Sequence, residues 1–117
     1  MPVPSHVGRV AFLAVFAVPA TVVPLQAVVA AAPAKVQKVA IDNFAFAPQV
    51  IVVAPGTTVT WTNADEDPHT VTATDKSFHS AAMDTNESYS FTFARPGEYA
   101  YFCSLHPHMT GKVIVKG

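Results

Sequence analysis

The chain has 117 residues, of which 50% are hydrophobic and 13% are charged, and its formal net charge is −1. The apolar excess lies at the start, since about two-thirds of residues 1–34 are apolar against about two-fifths of the rest. Residues 35–117 suffice for one small domain, which excludes multidomain and large barrel enzymes. They contain no cluster of Lys and Arg, so we expect no nucleic-acid partner.

Residues 1–34 have the pattern of a signal peptide. One firm positive charge precedes an uninterrupted apolar run at 10–18, and small residues follow up to Ala34, where we expect cleavage. The alternative is an uncleaved anchor, because residues 10–32 are long enough to span a membrane as a helix. Two prolines in the stretch favour cleavage. We therefore expect a periplasmic or extracytoplasmic protein, with no stable membrane insertion once the leader is removed.

Residues 35–117 contain short runs of β-branched and aromatic residues separated by Gly, Pro, Asp and Asn. Val59 and Trp61 alternate with threonines, which is typical of a half-buried strand. About seven strands are predicted, at residues 36–41, 50–53, 57–63, 69–74, 89–93, 98–103 and 112–116. This spacing predicts an all-β domain at 35–117, either an antiparallel sandwich or a small barrel. Residues 75–88 are predicted to be a long loop or to carry a short helical turn.

The alternation of apolar and polar residues in the strand predicted at 69–74 indicates which way the side chain of His69 points. It shares a face with Val71 and Ala73, so its imidazole should point to the apolar side of the sheet. Pro68 cannot donate to a ladder, so His69 should open its strand. Two interpretations stay open at this stage, a structural histidine and a metal ligand.

Cys103 is the single cysteine, which excludes an intrachain disulfide. It is either a small buried hydrophobic residue or a thiolate held by a metal. His106 and Met109 follow it at i+3 and i+6 in a predicted loop, and His69 adds a second imidazole. Two imidazoles, a thiolate and a thioether suit copper. Zinc is the competing metal, although a methionine has little to offer it.

The ordered pattern His…Cys-x-x-His-x-x-Met-x-Gly on a β-rich chain resembles the blue copper proteins, or cupredoxins. The loop spacing is similar to that of the amicyanins, within the plastocyanin-like group, and the likeness extends over about residues 36–115. The resemblance implies a cupredoxin-like Greek-key β-sandwich behind an N-terminal signal helix. It also implies a type 1 site for one Cu(I)/Cu(II) ion, with four ligands: His69, Cys103, His106 and Met109.

Other polar residues near this pattern need separate interpretation. His108 is the rival of His106, and we expect it to be an exposed neighbour. His79 and Met83 are either an auxiliary copper contact or part of a solvated loop. The resemblance implies that the Thr70 N–H donates to the ligand sulfur. Relatives have Asn at that position, so we expect the brace between the ligand loops to be weaker or built differently.

Two further features each have two equally plausible interpretations. Asn63 either replaces that missing brace or forms a strand-end Asx turn. The acidic residues 65–67 either steer a basic partner or form a solvated loop.

The resemblance implies a one-electron carrier that is not an enzyme. Transient redox partners should dock near His106, on an apolar patch formed by Leu105, Pro107 and Met83, and the protein should be a monomer. The alternative functions are an extracytoplasmic copper chaperone or storage protein that delivers copper to an oxidase, and a non-redox module that binds zinc or no metal.

Overall fold

The structure is a computed structural model that describes residues 35–117 together with Pro2, Ala17 and Pro19. Eight β-strands build the domain. In chain order they are β1 (Val36–Asp42), β2 (Ala45–Ala47), β3 (Val50–Val53), β4 (Thr57–Asn63), β5 (Thr72–Ala73), β6 (Ser88–Phe93), β7 (Gly97–Cys103) and β8 (His106–Val115).

The strands form two four-stranded sheets, in the orders β2-β1-β4-β6 and β3-β8-β7-β5. The predicted all-β sandwich is therefore confirmed. The expectation that all neighbours are antiparallel is wrong at two pairs, because β1 pairs with β4 and β3 pairs with β8 in parallel. The chain crosses to the opposite sheet at β3 and then returns, so β4 enters beside β1 from the same end.

The core lies between the sheets and follows the alternation of each strand. In β4 every second residue is buried, beginning at Thr57 and ending at Asn63. Trp61 is fully buried at the centre, and full burial of a large apolar side chain contributes about 1.5–3 kcal/mol relative to exposure. On the outer face of the same sheet, hydroxyls pair across strands at 2.8 Å: Thr58 with Thr92, Thr60 with Ser90, and Thr62 with Ser88.

Two strands differ from their predicted bounds. The strand predicted at 69–74 is reduced to β5, and the backbone of His69 instead pairs with that of Met83 in an isolated bridge. The strand is shorter because residues 69 and 71 hydrogen-bond to Met83 and Ser80 in the following loop, and the Thr70 N–H donates to the Cys103 Sγ, so none of them joins the ladder with β7. The strand predicted at 112–116 begins earlier, at His106, because β8 forms a hairpin with β7. The short strand β2 was not predicted.

The irregular stretch after β5 is a long loop with turns and isolated bridges, as one of the two alternatives predicted. The predicted signal helix lies outside the described residues, apart from three single positions. Within the described part of the chain, no helix has the length and hydropathy required to cross a membrane.

Candidate metal centre

The β7–β8 hairpin and the segment before β5 bring three donor side chains together. Cys103 ends β7 and pairs directly with His106, which begins β8, so only two residues connect the strands. His69 approaches from the loop before β5. Cys103 and His69 are 0% exposed, whereas His106 is half-buried. The ligand atoms of these three residues all lie within 4.8 Å of one another.

The distances fit one metal ion bound by all three donors. The Nδ1 atoms of His69 and His106 each lie 3.7 Å from the Cys103 Sγ. Metal bonds of about 2.0 Å to nitrogen and about 2.3 Å to sulfur, meeting near 120°, place their outer ends about 3.7 Å apart. The three donors are therefore close enough to hold one copper ion between them.

Met109 is brought to the same end of the hairpin by an irregularity in β8. Phe102 pairs with Thr110, whereas its neighbour Cys103 pairs with His106, so residues 107–109 bulge between two consecutive pairs. Met109 is buried, at 3% exposure, and His108 is exposed. The exposed position predicted for His108 is thus confirmed.

Asp65 orients the first imidazole. Its Oδ2 lies 2.8 Å from the His69 Nε2, so the Nε2–H donates to the carboxylate and the Nδ1 lone pair faces the thiol. The carboxylate also accepts the backbone N–H groups of Asn43 at 2.7 Å and Phe44 at 2.9 Å. Partial burial raises the pKa of Asp65, but the two backbone N–H groups and the His69 ring outweigh it and hold the pKa below its ordinary value.

The two interpretations given for residues 65–67 both missed this contact. Glu66 and Asp67 are exposed, as a solvated acidic loop requires, but the Asp65 side chain is only 12% exposed and is engaged with His69. Because residues 64–68 form a loop, the i, i+4 spacing of this carboxylate and imidazole, which is informative on a helix, did not predict the contact.

Thr70 braces the two segments that carry the donors. Its backbone N–H donates to the Cys103 Sγ at 3.3 Å, as predicted. Its hydroxyl accepts the Ser104 N–H at 2.7 Å and lies 2.8 Å from the Ser104 Oγ. The brace that was expected to be weaker or different is therefore built by the threonine hydroxyl.

Asn63 forms the predicted Asx-type contact and a second brace. Its Oδ1 accepts the Asp65 N–H at 2.9 Å. Its Nδ2 donates to the carbonyl oxygens of Asp67 and Met83, both at 2.9 Å. It joins the loop before His69 to the loop at Met83, and it does not replace the link to the cysteine segment.

Phe44 covers both imidazoles and was not singled out by the sequence. Its ring meets those of His69 and His106 edge-on, with centroid distances of 5.1 Å in both cases. Phe44 is 46% exposed and Leu105 is 50% exposed. Met83 is buried, so the expectation that it contributes to an exposed apolar patch is wrong. The backbone of Met83 pairs with that of His69, and the Met83 side chain lies in the core.

The second His/Met pair is divided between two environments. The backbone of His79 pairs with Thr72, and its side chain is exposed. In the described part of the chain, the His, Cys and carboxylate groups that converge as metal ligands are His69, Cys103 and His106, and His79 is not among them.

Comparisons with known proteins agree with this architecture. A family model described as "Cupredoxin-like domain" matches residues 9–115. Amicyanin-alpha of Methylorubrum extorquens is 36% identical over 90 residues, which cover 73% of this chain and 76% of that protein. Amicyanin of Paracoccus versutus is 34% identical, with coverages of 72% and 67%.

A solved structure of an amicyanin variant in its Cu(I) form aligns with a TM-score of 0.66 at 31% identity. The alignment covers 69% of this chain and 82% of that chain. Together with the family match over most of the sequence, these similarities show that the chain belongs to the cupredoxin family and is amicyanin-like within it.

Proposed function

We propose that the protein is a blue copper electron carrier that works outside the cytoplasm. Copper would be held by His69, Cys103 and His106, with the Met109 thioether as a weaker fourth donor. The observation that carries this proposal is a fully buried thiol with two imidazole nitrogens at 3.7 Å and a buried methionine on the same hairpin. The Cu(I) amicyanin structure supports it by homology.

Bound copper supplies the one-electron chemistry, and the protein supplies a fixed set of donors. Soft sulfur suits Cu(I) and imidazole suits Cu(II), so one arrangement serves both oxidation states. Asp65 fixes the ring of His69, and the Thr70 N–H donates to the thiolate sulfur. These contacts hold the donors in place whichever oxidation state is present, which favours rapid electron exchange.

The protein performs no reaction on a substrate in this proposal. Electrons pass to and from transient redox partners that dock near His106, the most exposed of the three close donors. Such encounters need only a small apolar contact, for which the exposed Leu105 and Pro107 are suited. The carrier is exported by its leader and acts as a monomer.

The competing function, delivery of copper to an oxidase, requires a site that exchanges its metal readily. Cys103 and His69 are both 0% exposed, which favours retention over transfer. Rapid loss of Cu(I) to a soluble chelator would favour delivery instead, and slow loss would favour electron transfer.

The test is to add Cu(II) to the purified protein and record its visible spectrum. We expect an intense thiolate-to-copper charge-transfer band that disappears in Cys103→Ser and weakens or shifts in His106→Asn. The matched controls are His108→Asn and His79→Asn, which remove exposed imidazoles and should leave the band intact. Binding of zinc alone, or copper binding without the band, would contradict the proposal.

A further inference from the structure

The turn between β1 and β2 has an unexpected residue. Asp42 pairs with Ala45, so Asn43 and Phe44 form a two-residue hairpin turn. Their φ angles are 53° and 55°, which places both residues in the left-handed region. Hairpin turns with two such residues strongly favour Asn-Gly. Asn43 fits this preference, but a bulky phenylalanine stands where glycine is expected, and a bulky side chain at positive φ is a strained outlier.

The strained turn is fastened by Asp65. One carboxylate accepts both N–H groups of the turn, at 2.7 and 2.9 Å, and also holds the His69 Nε2 at 2.8 Å. A single side chain thus fixes a proposed metal ligand and the residue that covers it. The interaction offsets the backbone strain and fixes the turn backbone from which the Phe44 ring projects.

The ring lies over the metal centre. It contacts the imidazoles of His69 and His106 edge-on, at centroid distances of 5.1 Å, while 46% of the residue stays exposed. One side of Phe44 therefore faces the two imidazoles and the other faces solvent. Glycine would satisfy the turn without strain but would leave this side of both imidazoles uncovered.

We propose that Phe44 is a positioning residue of the metal centre, kept at a strained turn because its ring shields both imidazoles from water. This inference rests on the proposed copper site. A Cu(II) ion with one thiolate carries a net charge of +1, and the Cu(I) form is neutral. Water stabilises the charged form, so an apolar cover raises the reduction potential.

The experiment compares copper-loaded wild-type protein with Phe44→Gly. Glycine suits the left-handed turn, so the variant should fold. We expect a lower reduction potential and faster relaxation of water protons by the Cu(II) form. Phe44→Asn should change both quantities in the same direction, since asparagine also tolerates this backbone conformation. Val52→Ala, which trims a 55%-exposed apolar side chain on the other sheet, is the matched control and should change neither.

Several results would overturn the inference. A folded Phe44→Gly or Phe44→Asn with the wild-type potential and relaxation would show that the ring has no role at the centre. An equal shift in Val52→Ala would show that the effect is not local. If wild-type protein formed no charge-transfer band with copper, the proposed function would fail together with this inference. A normal wild-type band with unchanged Phe44 variants would refute the inference alone.

Discussion

The side chains of Trp61 and Asn63 project from the same face of β4, two residues apart, but they lie in two different buried environments. Trp61 is packed against four aromatic rings, of Phe78, Tyr89, Phe93 and Tyr101. Asn63 is equally buried but is surrounded by backbone groups, to which it makes three hydrogen bonds.

The difference teaches how a small sandwich combines stability with a metal site. The middle of the domain is stabilised by apolar burial, which is non-directional and tolerates small shifts. The metal-binding end is built from loops whose hydrogen bonds set distances between particular atoms. Substitutions in the first region should mainly change the free energy of unfolding, and those in the second should also change the copper spectrum.

The largest expected effect is in the interior. Trp61→Ala should lower the free energy of unfolding by about 3–5 kcal/mol, because it removes a large buried side chain and leaves a cavity. Urea unfolding of the copper-free protein measures the loss, and Val52→Ala should change it by no more than about 0.5 kcal/mol. The folded fraction of Trp61→Ala should keep the wild-type copper spectrum. An altered spectrum would show that the two regions are not separable.

Asn63→Ala tests the other region with a comparable total effect. It removes the partner of the Asp67 carbonyl and of the Asp65 N–H, and it takes one of two donors from the Met83 carbonyl, which keeps the His69 N–H. Each buried group left unsatisfied costs about 1–3 kcal/mol. We expect a loss of roughly 3 kcal/mol together with an altered charge-transfer band. Thr62→Ala, at an exposed neighbour, is the control. An unchanged band in a folded Asn63→Ala protein would contradict the assignment of Asn63 to the metal-binding end.

Much of the interior could be predicted because its signal is local. Alternation of apolar and polar residues placed Val59 and Trp61 inside and put His69 on the apolar face, and the structure buries all three. The order of His69, Cys103 and His106 along the chain was equally visible. Local periodicity is sufficient wherever one strand alone decides which side chains point inward.

The metal-binding end was predicted less completely because it depends on contacts distant in sequence. Phe44 and Asp65 are 21 residues apart, and their bond forms only when the β1–β2 turn meets the loop before β5. The early start of β8 depends on how His106 pairs with Cys103. The role of the Thr70 hydroxyl depends on Ser104, 34 residues away. No periodic pattern in the sequence predicts contacts between residues so far apart.

The two regions should also respond to opposite ends of the pH scale. Burial raises the pKa of Tyr101 to about 12. Its ordinary value is about 10, so stability is complete below pH 10 and falls as the pH rises from there to about 12, by at most about 2.7 kcal/mol. The lowered pKa of Asp65 has the reverse effect. It contributes stability at pH values above the ordinary pKa of an aspartate, and this contribution is lost as the pH falls through the lowered pKa.

Tyr101→Phe isolates the alkaline response. The Tyr101 hydroxyl has no hydrogen-bond partner in the described residues, so the variant should lose little at neutral pH. Urea unfolding at about pH 9 and about pH 11 should show a steeper alkaline loss in wild type than in Tyr101→Phe. Equal losses would mean that this hydroxyl titrates alike in the folded and unfolded chains.

The smallest effect is expected at Thr70, where the side-chain hydroxyl can be removed while the backbone N–H is kept. Thr70→Val keeps the backbone N–H that donates to the Cys103 Sγ at 3.3 Å. It removes the hydroxyl, which holds Ser104 and also makes a longer contact of 4.0 Å to the same sulfur. The expected loss in unfolding free energy is about 1–2 kcal/mol, and Thr70→Ser should restore it. Because the N–H remains, the charge-transfer band should persist, while Cu(I) is lost faster to a chelator as the ligand segment loosens.

Thr72→Val is the matched control, since its hydroxyl contacts Thr70 at 3.1 Å but does not reach the ligand segment. If Thr72→Val released copper as fast as Thr70→Val, the hydroxyl cluster as a whole, rather than the link to Ser104, would be what holds the metal-binding end together.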